Sequence, residues 1–385
     1  MKLRKLLPWA LSTIVVCYFW ACTAVKMPPH DKNMSSVAIN QTLESKVVLP
    51  LGIMSFGWGE NFLDTKSLDL PYVSGMTAYF GWRDIEQENG VYDFTKIDQL
   101  IALAKRKNKI INIGFYPGSH APEWLYQKGV KSFSWGRNLK EDQARLRGQV
   151  QRQTSPLPWD SVFLDYWKRF ISKVAEKYNN EQTVGYISLT GPVIRDLSTN
   201  IPLRNNENWR RFISSGYEPD KLLKAWLEII DHYENVLADK HLVLAIAPIR
   251  PRSSDVRMSE EIVNHIIKNK YSNISFLSVF LNDTWFLSGG GAKNIRDLLQ
   301  EAKVNGSTFG YQMAQSAFRN SRWVNKPRIV TSLRDSLAVG ITDGASWIEV
   351  WHDDIIDPKY KKQGIPNHQY VSDLEWANQE LLTQR

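Results

Sequence analysis

The sequence predicts an α/β chain that closes into a (β/α)8 barrel, a single domain behind an N-terminal leader. Three observations predict it. Residues 75–125 join an aromatic strand, an acidic loop, an amphipathic helix and a second buried strand, and that order implies a parallel sheet. The rest of the chain repeats the alternation until eight strands are counted. A chain of 385 residues with 43% hydrophobic content can fill one large barrel once a leader is removed.

The elements follow in order. Val48 to Phe56 reads as the first strand and Met76 to Phe80 as the second. Ile97, Leu100, Ile101, Leu103 and Ala104 then fall at helical spacing, and Lys109 to Tyr116 is the third strand. A long polar insertion carries Arg137, Lys140, Arg145, Arg147 and Arg152. It leads to a helix over Trp159 to Tyr178, with Phe163, Trp167, Phe170, Ile171 and Val174 on one face. Val184 to Thr190, His241 to Ile249, Ile274 to Leu281, Thr308 to Met313 and Ala345 to Trp351 supply strands four to eight. Helices over Leu222 to Leu237, Glu260 to Asn269, Ile295 to Ala302 and Ser332 to Val339 separate them, and Tyr370 to Leu382 closes the domain. No repeat of solenoid length interrupts this order.

The amino terminus places Lys2, Arg4 and Lys5 before an apolar run from Leu6 to Ala21, the pattern of an export signal rather than a spanning helix. Both cysteines, Cys17 and Cys22, fall in this leader, so the mature domain has neither disulfide nor thiolate metal site. Phe19 to Cys22 resembles a bacterial lipobox and points to lipidation at Cys22, with cleavage after Ala24 as the alternative. Residues 1–22 are thus the leader, 23–45 a polar tether and 46–385 the barrel. The protein is expected in the bacterial cell envelope, on a membrane or in the periplasm, or else secreted.

The formal net charge of +8 is modest, but the insertion arginines and Arg250, Arg252 and Arg257 are concentrated. Placed at the barrel mouth they suit an anionic group on a ligand; otherwise they are a solvated loop. Export and the lack of any recognition motif exclude nucleic acid.

Trp82, Glu86, Gly90, Tyr92, Asp93, Phe94 and Asp98, followed by Pro122, Trp124 and Leu125, resemble the early strands of clan A glycoside hydrolases. These are TIM-barrel enzymes, and the family 42 type of β-galactosidase is nearest. The resemblance implies hydrolysis of glycosidic bonds, a poly- or oligosaccharide partner, and Trp82 and Trp124 beside the sugar. The other reading of the two tryptophans is a hydrophobic clasp between loop and helix. Fifteen tryptophans are an excess that suits stacking on sugar rings.

The resemblance also implies catalytic glutamates after strands four and seven, and here the chain departs from it. Strand four ends Ser188-Leu189-Thr190-Gly191-Pro192, and Gln312 stands on strand seven. Hydrolysis needs two carboxyl groups, so other acids are the candidates. Glu349 shares a strand face with Trp347 and Trp351, and an inward face spares its charge from burial between strand and helix. Its alternative role is to accept from an arginine or a sugar hydroxyl. Asp196 follows Arg195, where an ion pair is the bland reading, and Asp283 follows Asn282, where a turn cap is. Trp58, Trp82, His120, Trp124, Asn282, Gln312, Trp347 and Trp351 are the candidate sugar contacts. Glu86 and Glu88 read as structural, and Glu60 as a rim acid.

His352 beside Asp353 and Asp354 lacks the paired spacing of a metal site, Gly289 to Gly291 lacks that of a phosphate loop, and no nucleophile elbow occurs. No metal or cofactor is expected. The expected activity is acid/base hydrolysis; the alternative is a catalytically silent glycan-binding barrel.

Overall fold

The computed structural model of the chain describes residues 49–57, 63–136, 152–284, 289–321 and 330–383. The leader with Cys22, the tether, Trp58, Glu60 and insertion residues 137–151 lie outside them. Among the described residues no helix is long and apolar enough to cross a membrane.

The strands in chain order are β1 (Gly52–Phe56), β2 (Gly75–Gly81), β3 (Ile110–Tyr116), β4 (Ser132–Gly136), β5 (Arg152–Pro156), β6 (Val184–Ser188), β7 (Leu242–Ala245), β8 (Ile274–Leu281), β9 (Phe309–Met313) and β10 (Trp347–Trp351). Eight of them close a parallel barrel in the order β1-β10-β9-β8-β7-β6-β3-β2, while β4 and β5 pair antiparallel as a separate hairpin. The predicted (β/α)8 barrel is therefore the fold. Register sets Met54 of β1 and Gln312 of β9 on either side of Glu349 on β10.

Outside the barrel lie α1 (Thr95–Arg106), α2 (Ser161–Tyr178), α3 (Asn206–Ser214), α4 (Pro219–Val236), α5 (Arg257–Asn269), α6 (Gly290–Val304), α7 (Leu333–Asp343) and α8 (Val371–Thr383). Side chains satisfy the free amides at several of their starts. Asp160 accepts from Phe163 N at 3.0 Å ahead of α2, and Ser332 from Asp335 N at 3.1 Å ahead of α7. Phe163, Trp167, Phe170, Ile171 and Val174 form the buried face of α2, as their spacing implies.

Among the described residues between β1 and β2 the chain makes a 3-10 turn, Thr65–Asp69. The last helix covers this edge instead. Asn378 of α8 accepts from Ile53 N at 2.8 Å and from Ser74 Oγ at 2.9 Å, so the carboxyl-terminal helix ties β1 to the approach of β2.

The structure differs from the sequence reading in two places. Strand five, expected to reach Ile249, ends at Ala245, because Ala247 pairs with Thr199 instead: its N–H donates to Thr199 Oγ1 at 2.9 Å and its carbonyl accepts from it at 3.1 Å. The second difference is an annex of β4, β5 and α3, where the sequence shows only polar linkers. Phe212 of α3 meets Phe133 of β4 at 5.2 Å and Trp159 at 5.3 Å. These rings are distant in sequence, so no local periodicity announces them.

Trp82 is a correction. It is 0% exposed and packs against Phe163, Trp167 and Phe170 of α2, away from the barrel mouth. Trp124 sets its edge against Trp82 at 6.0 Å and donates to the Glu86 carbonyl at 3.1 Å, on the same outer flank. The two tryptophans are the hydrophobic clasp, not a sugar platform. Glu86 completes it from a fully buried position, accepting from Trp82 Nε1 at 2.7 Å, from Gly90 N at 2.8 Å and from Arg169. Gly90 lies at φ 85°, a left-handed turn that suits glycine and aims its amide at Glu86. Trp82→Ala is expected to cost about 3–5 kcal/mol in urea denaturation, the scale of a large cavity plus lost contacts. A loss below about 1 kcal/mol would contradict this packing.

Candidate active site

Residues two apart on a strand share a face, so Trp347, Glu349 and Trp351 of β10 all face the barrel axis. Glu349 is 0% exposed, and its partners come from strands around the ring. Thr77 of β2 donates to Oε1 at 2.7 Å, and Tyr186 of β6 donates to the same oxygen. Tyr79 of β2 donates to Oε2 at 3.3 Å and Gln312 of β9 at 2.6 Å.

The donors are themselves oriented. Asn112 Nδ2 donates to Thr77 Oγ1 at 3.2 Å, and Gln312 Nε2 to Tyr79 Oη at 3.2 Å. An amide nitrogen only donates, so each hydroxyl is left to direct its own hydrogen at Glu349. Burial pushes the Glu349 carboxyl above its ordinary range, while the four donors hold that rise back. The charge at Glu349 in turn joins burial in raising the Tyr79 and Tyr186 phenols well above theirs.

Trp347 lies one layer below, toward the amino ends of the strands. It is fully buried, with its ring 5.9 Å from Tyr186, and a Cβ at Gly310 would meet it at 2.1 Å. It fills the barrel floor and is corrected from a sugar contact to a core residue. Trp351 stands at the carboxyl end. It packs at a tilt against Phe56 at 4.4 Å, donates to the Met313 carbonyl at 2.8 Å and stays partly exposed.

A loop covers this centre. Val193 to Leu203, after β6, is pinned at one side by Ser119 N to the Ile194 carbonyl at 2.8 Å. At the other side Thr199 N reaches the Ala245 carbonyl at 3.0 Å and Ile201 N the Ile249 carbonyl at 2.8 Å. Between the pins, Leu197 packs, as Trp351 does, against the cluster of Phe56, Tyr79 and Tyr116 at this end of the barrel.

Asp196 sits beside Leu197. Among the described residues it has no hydrogen bond and no ion pair, Arg195 included, and burial raises its carboxyl above the usual range. The bland reading, a local ion pair, is absent. Burial raises the phenol of Tyr116 at the end of β3, and the charges of Asp196 and Glu349 both add to that rise.

The other sequence candidates divide. His120 stacks on Tyr116 at 5.1 Å at the mouth, and burial lowers its basicity. Asp283 accepts from Thr331 N at 2.8 Å, from Thr331 Oγ1 and from Ser332 N at 2.8 Å, so it anchors the segment before α7. Asn282 is buried and folds on itself, donating to the Phe280 carbonyl at 2.6 Å and accepting from Thr284 N at 3.0 Å. Both are turn residues rather than site groups. Among the described residues no group of three or more His, Cys, Asp or Glu side chains could hold a metal ion.

Sequence reasoning missed Thr77, Tyr79, Tyr116, Tyr186 and Leu197. Alternation along Met76 to Phe80 and Val184 to Thr190 puts Thr77 with Tyr79 and Tyr186 with Ser188. Nothing local says that this face is the inward one.

The comparisons agree with the fold. The model of the β-galactosidase family, glycoside hydrolase family 42, matches residues 58–241, just under half of the chain. No curated protein matches by sequence. Among solved structures, the β-amylase catalytic domain of Paenibacillus polymyxa is similar at TM-score 0.57 and 9% identity, over 86% of this chain and 98% of that one. A β-galactosidase of Rahnella gives 0.51 at 12% identity, over 88% of this chain and 58% of the other. That of Bacillus circulans gives 0.52 at 13%, over 87% and 56%. The chain thus spans little more than half the length of these β-galactosidases, and at such identities the likeness is one of fold. The chain resembles clan A glycoside hydrolases in its early strands and its barrel.

At the end of β10, Asp354 is fully buried and accepts from Ser316 Oγ at 2.8 Å, Ala317 N at 3.1 Å and Phe318 N at 2.8 Å. Burial pushes its carboxyl up from 3.8 to about 7. Within that window the unfolded chain releases a proton that the folded chain keeps, so stability falls as pH rises. Urea midpoints measured on both sides of the window are expected to fall less in Asp354→Asn than in the wild type. At Glu349, where all four neighbours donate, Glu349→Gln turns an NH2 toward two donors and is expected to lose about 1–3 kcal/mol of stability.

Proposed function

We propose that this protein hydrolyses glycosidic bonds of an extracellular poly- or oligosaccharide at the carboxyl-end mouth of the barrel. The observation that carries the reading is Asp196: a carboxyl raised by burial, without a hydrogen bond or ion pair among the described residues, on the pinned loop after β6, whose charge acts on Tyr116 as that of Glu349 does. Burial favours the protonated form of such a group, and that proton can be given to a leaving oxygen. Glu349 is sealed from solvent, so it acts through Tyr79. Water adds to the anomeric carbon as the bond to the leaving oxygen breaks. The water proton passes to Tyr79 Oη, the Tyr79 proton passes to Glu349 Oε2, and the Asp196 proton goes to the leaving oxygen. His120 and Trp351 line the same mouth and suit hydroxyl and ring-face contacts. The likeness to a β-galactosidase family in the early strands supports carbohydrate as the substrate class.

Export belongs to the same proposal, since a glycan outside the cell requires it. The charged, apolar leader and Cys22 support a lipid-anchored form.

One observation favours a second reading, a glycan-binding barrel without hydrolysis. Gln312 cannot carry a proton or form a glycosyl ester, and Glu349 is fully buried. Product release by the full chain across neutral and acidic polysaccharides separates the two. Hydrolysis predicts release that falls about 10²–10⁴-fold in Asp196→Asn, the range of acid–base catalysis, and falls strongly in Tyr79→Phe with glycan affinity retained. Binding without release, equal in wild type and Asp196→Asn, would establish the binding reading.

A further inference from the structure

The mouth holds positive charge that the fold does not neutralise. Arg195 and Arg204 both act on the Asp196 carboxyl, yet neither comes within 4.0 Å of any carboxylate among the described residues. The Ile194 carbonyl, next to Arg195, accepts from Ser119 N at 2.8 Å beside the end of β3, where the Arg195 charge also acts on Tyr116 and His120. Four other arginines of the strand-end loops are engaged. Arg83 donates to the Ser119 carbonyl, and Arg319 pairs with Asp353. Arg257 pairs with Asp255 at 2.7 Å, and Arg250 lies 4.4 Å over Trp209. Below them the Glu349 charge already has four donors. Arg195 lies on the loop pinned at Ile194 and Thr199, Arg204 follows Leu203, whose carbonyl accepts from Arg250 at 3.4 Å, and both charges act on the one carboxyl that burial raises.

We propose that this mouth takes an acidic glycan, whose sugar carboxylate or sulfate is held by Arg195 together with Arg204. The inference rests on the reading of the mouth as a glycan site. Guanidinium offers a planar pair of donors that matches either anion, and a positive mouth draws an acidic chain from a distance. The anion also serves the chemistry. Neutralising the two arginines removes what favours ionised Asp196, so binding prepares the proton that the leaving oxygen takes.

The test uses the full chain and four probes: hexagalacturonate, its methyl ester, chondroitin sulfate fragments and the same fragments desulfated. Calorimetry at low and high salt reads the affinities. At least one acidic probe is expected to bind about tenfold or more tighter than its matched, less charged form, as one charge-assisted pair can give. Whether hexagalacturonate or the sulfated fragment shows the preference identifies the anion. The preference should vanish in Arg195→Gln/Arg204→Gln and be partly kept in Arg195→Lys, which retains charge but not the planar fork. Lys268→Gln, in the last turn of α5, should leave it intact. Equal binding within both matched pairs, or a preference that survives in the double variant, overturns the proposal. Neutral glycans bound or cut without acid preference leave the hydrolase reading standing and remove only this one. Binding of no glycan at all removes both.

Discussion

A carboxylate buried at the axis of the barrel is the constraint on which the rest of the site depends. Removing a charge from water costs several kcal/mol unless hydrogen bonds replace the lost hydration. At Glu349 the replacement comes from three other strands at once: Thr77 and Tyr79 of β2, Tyr186 of β6 and Gln312 of β9. No two adjacent strands hold this set. Only a closed barrel brings β2, β6 and β9 to one point with β10. The network therefore both requires the closure and helps to specify its register, because a one-residue slip of any strand turns its donor to the opposite face.

The same arrangement explains why the centre is quiet and the rim is not. Asn112 and Gln312 orient Thr77 and Tyr79 toward Glu349, so the middle of the barrel is a satisfied network with Trp347 beneath it. Above it, the span between the pins at Ile194 and Thr199 sets Leu197 against Phe56, Tyr79 and Tyr116 and carries Arg195 and Asp196. Among the described residues, Arg195 and Asp196 of this loop and Arg204 just after it have no ion pair, while the Glu349 charge below is fully partnered. A site that must bind and release a ligand needs the first kind, and a packed interior tolerates only the second.

Trp82 and Trp124 show how a resemblance can point to the fold and still misplace a residue. The segment that carries the likeness to family 42 is the one that the family model matches. Its aromatic side chains nonetheless serve the outer clasp around Glu86 and α2. A tryptophan is suited both to a sugar and to a core, and sequence alone does not say which surface it meets. Asn282 and Asp283 are similar. Their residue types suit a ligand, but their chain neighbours take the hydrogen bonds first.

The sequence by itself determined the order of strands and helices, because each rests on short-range periodicity: alternation for Thr77 and Tyr79, helical spacing for Phe163, Trp167 and Phe170. It also determined that the usual glutamates are absent and that Glu349 shares a face with Trp347 and Trp351. The annex of β4, β5 and α3, the inward direction of β2 and β6, and the packing of Leu197 against Phe56, Tyr79 and Tyr116 were decided only by the tertiary structure. Each depends on contacts between residues far apart in the chain, whose long-range pairing no local pattern encodes.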